Sequence, residues 1–328
     1  MGDAREAFLR GQLQQRRTRL ESALGQFGRA DQLVQLLQEV DLALERMDQG
    51  IYGLCEQCHE SIEADRLMAD PLIRFCIDHL STEQQRALEH DLELASRIQA
   101  SLLPKRHVAQ HGWELYYHYE PLGPVSGDYV DILTTGDDGG DLFFLLGDVV
   151  GKGVAASMLM AHLHATFRTL INLHLRVNQL VEQANRLFSE STLASFFATL
   201  VCGKASRSGE IEICNTGHCS PLLMRGGKVE SLEPTGLPIG LFSNSQYSAR
   251  PVLLGKGDTL FLFTDGLTEA RTHSSEEYGE SRLGQLLAAH HDLALQALAG
   301  ACRDDVEAFL AGAPKADDLT IMALRRQA

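Results

Sequence analysis

No apolar run in the 328-residue chain approaches the roughly 18–20 residues a membrane-spanning helix needs, so no span is predicted. Basic residues are scarce: 29 lysines and arginines stand against 44 aspartates and glutamates, a formal net charge of −15. A surface of that sign repels a phosphate backbone, which argues against nucleic acid as a partner. Cysteine is thin as well, at seven residues, an odd number with three of them in one array. That is no disulfide framework, and it points to a reducing, cytoplasmic setting. The first residues carry no signal-peptide core, and Glu6 stands where myristoylation wants Ser or Thr. No Gly-x-Ser-x-Gly elbow occurs. The run Gly147-Asp148-Val149-Val150-Gly151-Lys152-Gly153 is one residue short of a phosphate-binding loop and has no Ser or Thr after Lys152.

What is present is an ordinary globular composition, 44% hydrophobic and 22% charged, in a chain long enough for two domains. Residues 4–49 predict two helices. The first carries Phe8, Leu9, Leu13, Leu20 and Leu24, with Arg16 and Arg17 interrupting the stripe; Gly25 and Gly28 mark a turn. The second carries Leu33, Leu36, Leu37, Val40, Leu44 and Met47, and Gly50 stops it. After a compact cysteine segment, Ser81-Thr82-Glu83-Gln84 resembles a capping box opening a helix that ends at Pro104. Its apolar positions, Leu88, Leu92, Ala95, Ile98 and Leu102, form a narrow seam suited to a twin helix in a homodimer or to docking on a core.

From Trp113 onward the pattern is strand-rich. WELYYHY, YVDIL, DLFFLLGD, FFATLVCG, EIEICN, PLLMR, DTLFLFTD and DLTIMALR predict strands. Helices are expected over 153–174, 177–190 and most of 283–311. The loops SRSG and RGGK predict antiparallel hairpins. Strands and helices do not alternate regularly, so the class is α+β. The domains are expected at 1–80, 81–104 (a connecting helix) and 105–328.

Cys55-x₂-Cys58 and Cys76-x₂-His79 have the spacing of a structural zinc site, two knuckles each delivering two ligands. His59 is not expected to ligate, because adjacent side chains diverge. The stretch ALERMDQGIYGLCEQCHESIEADRLMADPLIRFCIDH resembles the DksA/TraR-type zinc finger, and residues 1–80 resemble that family's helical hairpin plus finger. His79 departs from the family's usual fourth cysteine. The turn at 25–31 lacks the paired acidic tip through which DksA acts, so RNA polymerase is not the expected partner.

Four acidic sites each lie against a short apolar run: Asp128 in SGDYVD, Asp148 in FFLLGDVVGKG, Asp265 in LFLFTDG and Asp317 in KADDLTIMAL. An aspartate at the end of a buried strand is costly to desolvate unless a cation meets it. Four together predict carboxylates converging on hard divalent ions, Mg²⁺ or Mn²⁺, for metal-assisted hydrolysis. Gly127, Gly147 and Gly266 are expected to leave room for metal and water. His218 is a candidate general acid or loop anchor, the anchor being the expected role, and Cys202, Cys214, Cys219 and Cys302 are expected to be small core residues.

The segments ELASRIQASLLP, GPVSGDYVDI, LGDVVGKGVAASMLMA, FFATLVCG, NTGHCSPLL, TGLPIGL, LFTDGLTEA and ADDLTIMAL, in that order, resemble the SpoIIE/RsbU branch of the metal-dependent protein phosphatases. The resemblance implies the protein phosphatase 2C fold, a central antiparallel β-sandwich flanked by helices, and hydrolysis of phosphoserine or phosphothreonine with two Mn²⁺ or Mg²⁺ ions. Asp128 and Asp148 would hold the ion pair with the Val149 carbonyl assisting, and Asp265 and Asp317 would complete one shell, with Asp318 beside them. Asp131 is expected behind the ligands. The resemblance also implies a STAS-domain anti-sigma-factor antagonist as substrate, in bacterial partner switching, with the finger regulating through the connecting helix. The alternative is a non-catalytic regulator of transcription acting through the finger.

Overall fold

The computed structural model describes residues 2–27, 31–79, 82–135, 140–193 and 195–327. Ser81 of the expected capping box and Gly28 of the expected turn lie outside them. The chain divides into two compact units, Met1–His90 and Asp91–Ala328.

In the first unit, helices α1 (Gly2–Phe27) and α2 (Asp31–Asp48) form a hairpin. Helix α1 runs through Gly25 rather than ending there. Leu9, Leu13 and Leu20 of α1 and Val40, Ala43 and Met47 of α2 are buried together with Cys55, Ile62, Leu67 and Cys76. The arginines at 16 and 17 interrupt the stripe only in sequence, since Arg17 turns outward to Asp41 at 2.7 Å. Gly50 stops α2 as expected, at a φ of +71° that an L side chain rarely adopts. The short helix α3 (Ala64–Ala69) and a 3₁₀ turn at Ile77–His79 complete the finger.

The second unit stacks two antiparallel sheets between helical layers. One sheet has the order β1-β2-β11-β10-β7-β8 and the other β3-β4-β5-β6-β9. Their strands are β1 His107–Gln110, β2 Trp113–Glu120, β3 Asp128–Thr134, β4 Leu142–Val149, β5 Ala198–Ala205, β6 Glu210–Asn215, β7 Leu222–Arg225, β8 Lys228–Ser231, β9 Arg250–Leu253, β10 Thr259–Phe263 and β11 Leu319–Arg326. Period-two alternation assigns the faces. Val130, Ile132, Leu142, Phe144 and Leu146 point between the sheets, against Leu260, Leu262, Met322 and Leu324. Tyr129, Phe143 and Leu145 point outward under helices α5 (Gly153–Ile171) and α6 (Val177–Ser191). Phe261, Phe263, Ile321 and Ala323 lie under α8 (Gly279–Ala289) and α9 (Leu295–Leu310). This is the expected α+β sandwich, with both hairpins, β5–β6 and β7–β8, in place.

Helix α4 (Thr82–Leu102) departs from the seam drawn for it. Ile98 is 56% exposed and Leu88 also faces solvent, whereas Gln99 is only 7% exposed. The inward face is 92, 95, 99 and 102, an ordinary 3.6-residue spacing with a polar residue at its centre.

Candidate metal centres

The mouth of the sandwich is built where apolar alternation ends in carboxylates. On β3 the inward series Ile132, Val130 continues to Asp128; on β4 the series Leu142, Phe144, Leu146 continues to Asp148. The register pairs Asp128 directly with Asp148. From the facing sheet, β10 runs into Thr264 and then Asp265, which opens the short helix α7 (Asp265–Thr268), and Asp317 and Asp318 precede β11.

Asp128 is 1% exposed. Its Oδ2 accepts hydrogen bonds from Thr264 Oγ1 at 3.0 Å and from Thr320 Oγ1. Burial, and then the Asp148 charge, push its carboxyl well above the usual range. Burial also pushes Asp148 up to about 7, with Asp265, Asp317 and Asp318 adding repulsion. Asp265 is raised by burial and by Asp317. Burial and like charge thus raise Asp128, Asp148 and Asp265, with Asp317 among the charges that act on the last two, the arrangement that a divalent cation relieves.

The donor set and the space suit such an ion. A Cβ added at Gly127 would sit 3.0 Å from Asp148 Oδ1 and 3.1 Å from the Val149 carbonyl oxygen, filling the cradle between them. The other two glycines have a different reason. A Cβ at Gly147 would strike the Thr199 carbonyl at 2.6 Å, and one at Gly266 the Asp318 carbonyl at 1.9 Å, so both permit backbone contact rather than leave room for metal and water. Among the described residues, only the cysteine–histidine group gathers three or more ligand atoms within 4.8 Å of one another. The carboxylates are spread more widely. A two-metal centre tolerates that, because ions about 3.5–4 Å apart with bonds of about 2 Å at each end accept donors up to about 8 Å apart.

Asp318 is committed elsewhere. Its Oδ1 accepts from the Leu122 backbone N–H at 2.6 Å, and its Oδ2 from Ser126 Oγ at 2.6 Å and the Gly127 N–H at 3.1 Å. The loop before β3 is thereby wrapped around this carboxylate. Ser126 Oγ also accepts from the Asp128 N–H at 3.0 Å. Gln99 of α4 closes the arrangement: its Nε2 donates to the Ser126 carbonyl at 2.7 Å and its Oε1 accepts the Ser126 N–H at 3.0 Å. A helix residue is thus two hydrogen bonds from the segment that aims Asp128. Sequence reasoning missed Gln99, since a glutamine on a helix carries no chemical signal by itself; its one clue is its position on the face that turns inward.

Two more placements were not foreseen. Lys152 Nζ donates to Asp317 Oδ2 at 2.9 Å and to the Ala316 carbonyl at 2.7 Å, so the residue rejected as a P-loop lysine holds the Asp317 loop. Asp131 is not behind the ligands. It lies on the opposite face of β3 from Asp128, where Arg168 of α5 grips both its oxygens at 2.9 Å and His164 Nε2 stands 3.7 Å away. It fastens α5 to the sheet. His218 anchors its loop as expected: its N–H donates to Asn215 Oδ1 at 2.8 Å, its Nδ1 lies 2.9 Å from Thr199 Oγ1, and burial lowers its pKa to about 4. Cys202, Cys214 and Cys302 are buried and Cys219 is partly so.

In the first unit, Cys55, Cys58, Cys76 and His79 place their ligand atoms within 4.8 Å of one another. Cys58 Sγ and Cys76 Sγ are 3.8 Å apart. That is the edge of a tetrahedron whose centre-to-corner length is about 2.3 Å, the zinc–thiolate distance. Backbone bonds set the knuckles: the Cys55 N–H donates to the Glu60 carbonyl, the His59 N–H to that of Cys55, and the His79 N–H to that of Cys76. His59, at a φ of +60°, is outside the cluster. Burial raises Cys55, but the N–H groups of Cys58, Cys76 and Gln57 outweigh it and bring the thiol to about 6. Cys76 is pushed up to about 11 by burial and by Cys55 and Cys58 beside it. Three thiols at this distance cannot all ionise without a cation among them.

Two antiparallel sheets packed face to face between helical layers, with carboxylates gathered at one mouth, define the fold of the metal-dependent protein phosphatases. Residues 138–327, more than half the chain, match the family described as stage II sporulation protein E (SpoIIE), and the chain belongs to that family. The match contains Asp148, Asp265 and Asp317 and begins after Asp128. Residues 50–78 match the prokaryotic DksA/TraR C4-type zinc finger, against which His79 is a departure. The SiaA-PP2C domain of Pseudomonas aeruginosa superposes with a TM-score of 0.64 at 22% identity, covering 74% of this chain and 97% of that one. Protein IcfG of Synechocystis is 27% identical over 72% of this chain and 41% of its own length. The phosphoserine phosphatase RsbU of Bacillus subtilis is 24% identical over 58% of this chain and 57% of its own. The chain spans about half the length of these curated relatives.

Proposed function

We propose that this chain is a Mn²⁺- or Mg²⁺-dependent protein serine/threonine phosphatase. The observation that carries the reading is the convergence of the register-paired Asp128 and Asp148 with Asp265 and Asp317 at one mouth of the sandwich. Family membership and the likeness to a phosphoserine phosphatase support it. Asp128, Asp148, the Val149 carbonyl, Asp265 and Asp317 would hold the ions; Asp318, already bonded to the 122–127 segment, positions Asp128 instead. When bound, divalent ions supply a polarised phosphoryl oxygen and an activated water. The chain's own residues orient the carboxylates: Thr264 and Thr320 fix one oxygen of Asp128, and Lys152 holds the Asp317 loop. The cysteine–histidine cluster would hold zinc.

The finer reading has a STAS-domain anti-sigma antagonist as substrate. It sets a cytoplasmic homodimer in partner switching, with residues 1–80 regulating the domain at 105–328 through the helix at 81–104. The test is dephosphorylation of a serine-phosphorylated STAS-domain protein by the intact chain with Mn²⁺. Turnover supports the reading. Failure to hydrolyse even p-nitrophenyl phosphate with Mn²⁺ would leave the fold without this chemistry and favour a purely regulatory protein.

Gln99→Ala tests the link from helix to metal site. It strands the buried Ser126 N–H and carbonyl, at about 1–3 kcal/mol for an unmet group. The Mn²⁺ concentration for half-maximal activity is expected to rise about tenfold, corresponding to ~1.4 kcal/mol of lost positioning. Gln99→Glu keeps the acceptor for the Ser126 N–H but sets a second carboxylate oxygen against the Ser126 carbonyl, so its midpoint should rise at least as far. An unshifted Mn²⁺ midpoint in the alanine variant refutes the coupling.

A further inference from the structure

In a chain of net charge −15, three segments contain no Asp, Glu, Lys or Arg: 153–167, 191–203 and 234–249. The fold brings all three to the metal end of the five-stranded sheet. Asp148 pairs with Thr199 and Val149 with Ala198, and Ala198 exchanges two backbone hydrogen bonds of 2.8 Å with Ile239. Helix α5 starts at Gly153, directly beyond β4. Strand spacings of about 4.8 Å place Ile239 about 10 Å across the sheet from β4.

Each segment exposes large apolar side chains there. Phe242 is 59% exposed, Met158 68% and Leu193 70%, with Leu237, Leu241 and Val154 also facing solvent. The loop that carries three of them is rigidly held. The buried Asn185 of α6 donates to the Phe242 carbonyl at 2.9 Å and the Ser243 carbonyl at 3.2 Å, and accepts the Gly240 N–H at 2.9 Å. Gly240, at a φ of +90°, lies so close to Phe188 that a Cβ would meet its ring at 2.8 Å. Segments without a charged residue that expose aromatic and aliphatic side chains have the composition of an interface core, and the exposed Arg186 and Glu190 of α6 suit a polar rim.

We infer that this surface docks the folded phosphoprotein substrate beside the metal centre. The inference rests on the phosphatase reading. Phosphate binding by metals alone distinguishes one phosphoserine from another very little, because the phosphoryl group is common to all substrates. Selectivity then has to come from neighbouring surface, and these apolar side chains belong to segments at the Asp148 end of the sheet. The matching partner presents an apolar patch next to its phosphoserine, not a basic peptide drawn in by charge. Phe242 and its neighbours act on binding of the protein, away from the reacting atoms.

The experiment compares the full-length chain with its Phe242→Ser and Leu237→Ser variants. For each, kcat/KM is measured with Mn²⁺ on p-nitrophenyl phosphate and on a serine-phosphorylated STAS-domain protein. The ratio of protein to small-ester kcat/KM is expected to fall at least tenfold in Phe242→Ser, through KM, with an unaltered melting temperature. A ratio within twofold of the parent in both variants overturns the inference. So does a parent dimer that Phe242→Ser makes monomeric without changing the ratio, since the surface then belongs to a second copy. If the parent hydrolyses the small ester but not the STAS protein, the substrate reading and the docking inference fail while the phosphatase chemistry stands. If it hydrolyses neither, the phosphatase reading falls with them.

Discussion

Asp148→Asn is expected to lower Mn²⁺-dependent hydrolysis about a thousandfold while making the metal-free protein more stable at neutral pH. The rate loss follows from the residue's place between Asp128 across the register and Asp265 and Asp317 from the facing sheet. On the phosphatase reading Asp148 would help hold the ions; losing such a ligand costs several kcal/mol at a phosphoryl transition state, and ~4 kcal/mol is about a thousandfold in rate. The stability gain follows from the pKa. In the metal-free fold this carboxyl titrates at about 7, against an ordinary value near 3.8. Between those values the unfolded chain has released the proton and the folded chain has kept it. Stability therefore falls as pH rises from about 4 to about 7, by an amount on the order of 2–4 kcal/mol once the carboxylates' mutual coupling is allowed for. Asparagine removes that dependence. Thermal unfolding in EDTA should show the variant melting several degrees above the parent at pH 7.5 and no higher near pH 4. With Mn²⁺ the order reverses, because only the parent gains from the ion. A variant that hydrolyses at the parental rate removes Asp148 from the chemistry whatever its melting point.

The strands and helices visible in sequence were those whose burial is one-sided and long. Strands β2 to β7, β10 and β11 announce themselves because their buried residues are apolar in runs or alternation. The strands that no run named, β1, β9 and β8 (implied only by the RGGK hairpin), are four-residue edge strands with the burial patterns of mostly exposed loops. Pro251 even argues against a strand at β9, yet an edge position tolerates it because one side of the ladder is unpaired. The region read as one helical stretch over 283–311 is two helices, parted at residues 290–294. Propensity alone does not mark that break.

For the acidic site, sequence revealed which carboxylates terminate buried strands, because burying a charge needs a reason. It did not separate aspartates by face. Asp128 and Asp131 sit three residues apart in the same strand, and only the pleat sends one to the mouth and the other to Arg168. It could not separate Asp317 from Asp318 either: adjacent carboxylates look alike until the loop wrapped around one of them is seen. Nor did it find Gln99, Thr264 and Thr320, whose roles exist only through contacts with residues 27 to 192 positions away. Hydrogen-bond partners of that separation leave no local pattern.

Removing zinc from the first unit should have the other large effect. Among the described residues the buried cluster there has ten members, and two of them, Cys55 and Cys76, belong to the cysteine–histidine group that would hold the ion. Without the ion, residues 50–79 are held by that small core, a few backbone bonds between knuckles and the Arg46–Glu56–Arg74 ion pairs. A structural zinc contributes about 10–16 kcal/mol in finger peptides, far more than those contacts supply. Chelation, or Cys58→Ser, is therefore expected to open the segment to protease between Gly50 and His79, with loss of bound zinc measured in the same sample. His79→Cys should retain zinc, since it restores a fourth thiolate donor, but the centre then carries one more negative charge than three thiolates and a neutral imidazole. Such a site binds the ion with greater proton release, so its zinc affinity should climb more steeply with pH than the parent's. If protease cuts the metal-free segment no faster than the zinc-loaded one, the cluster is not what folds the finger, and the helical hairpin must hold it alone.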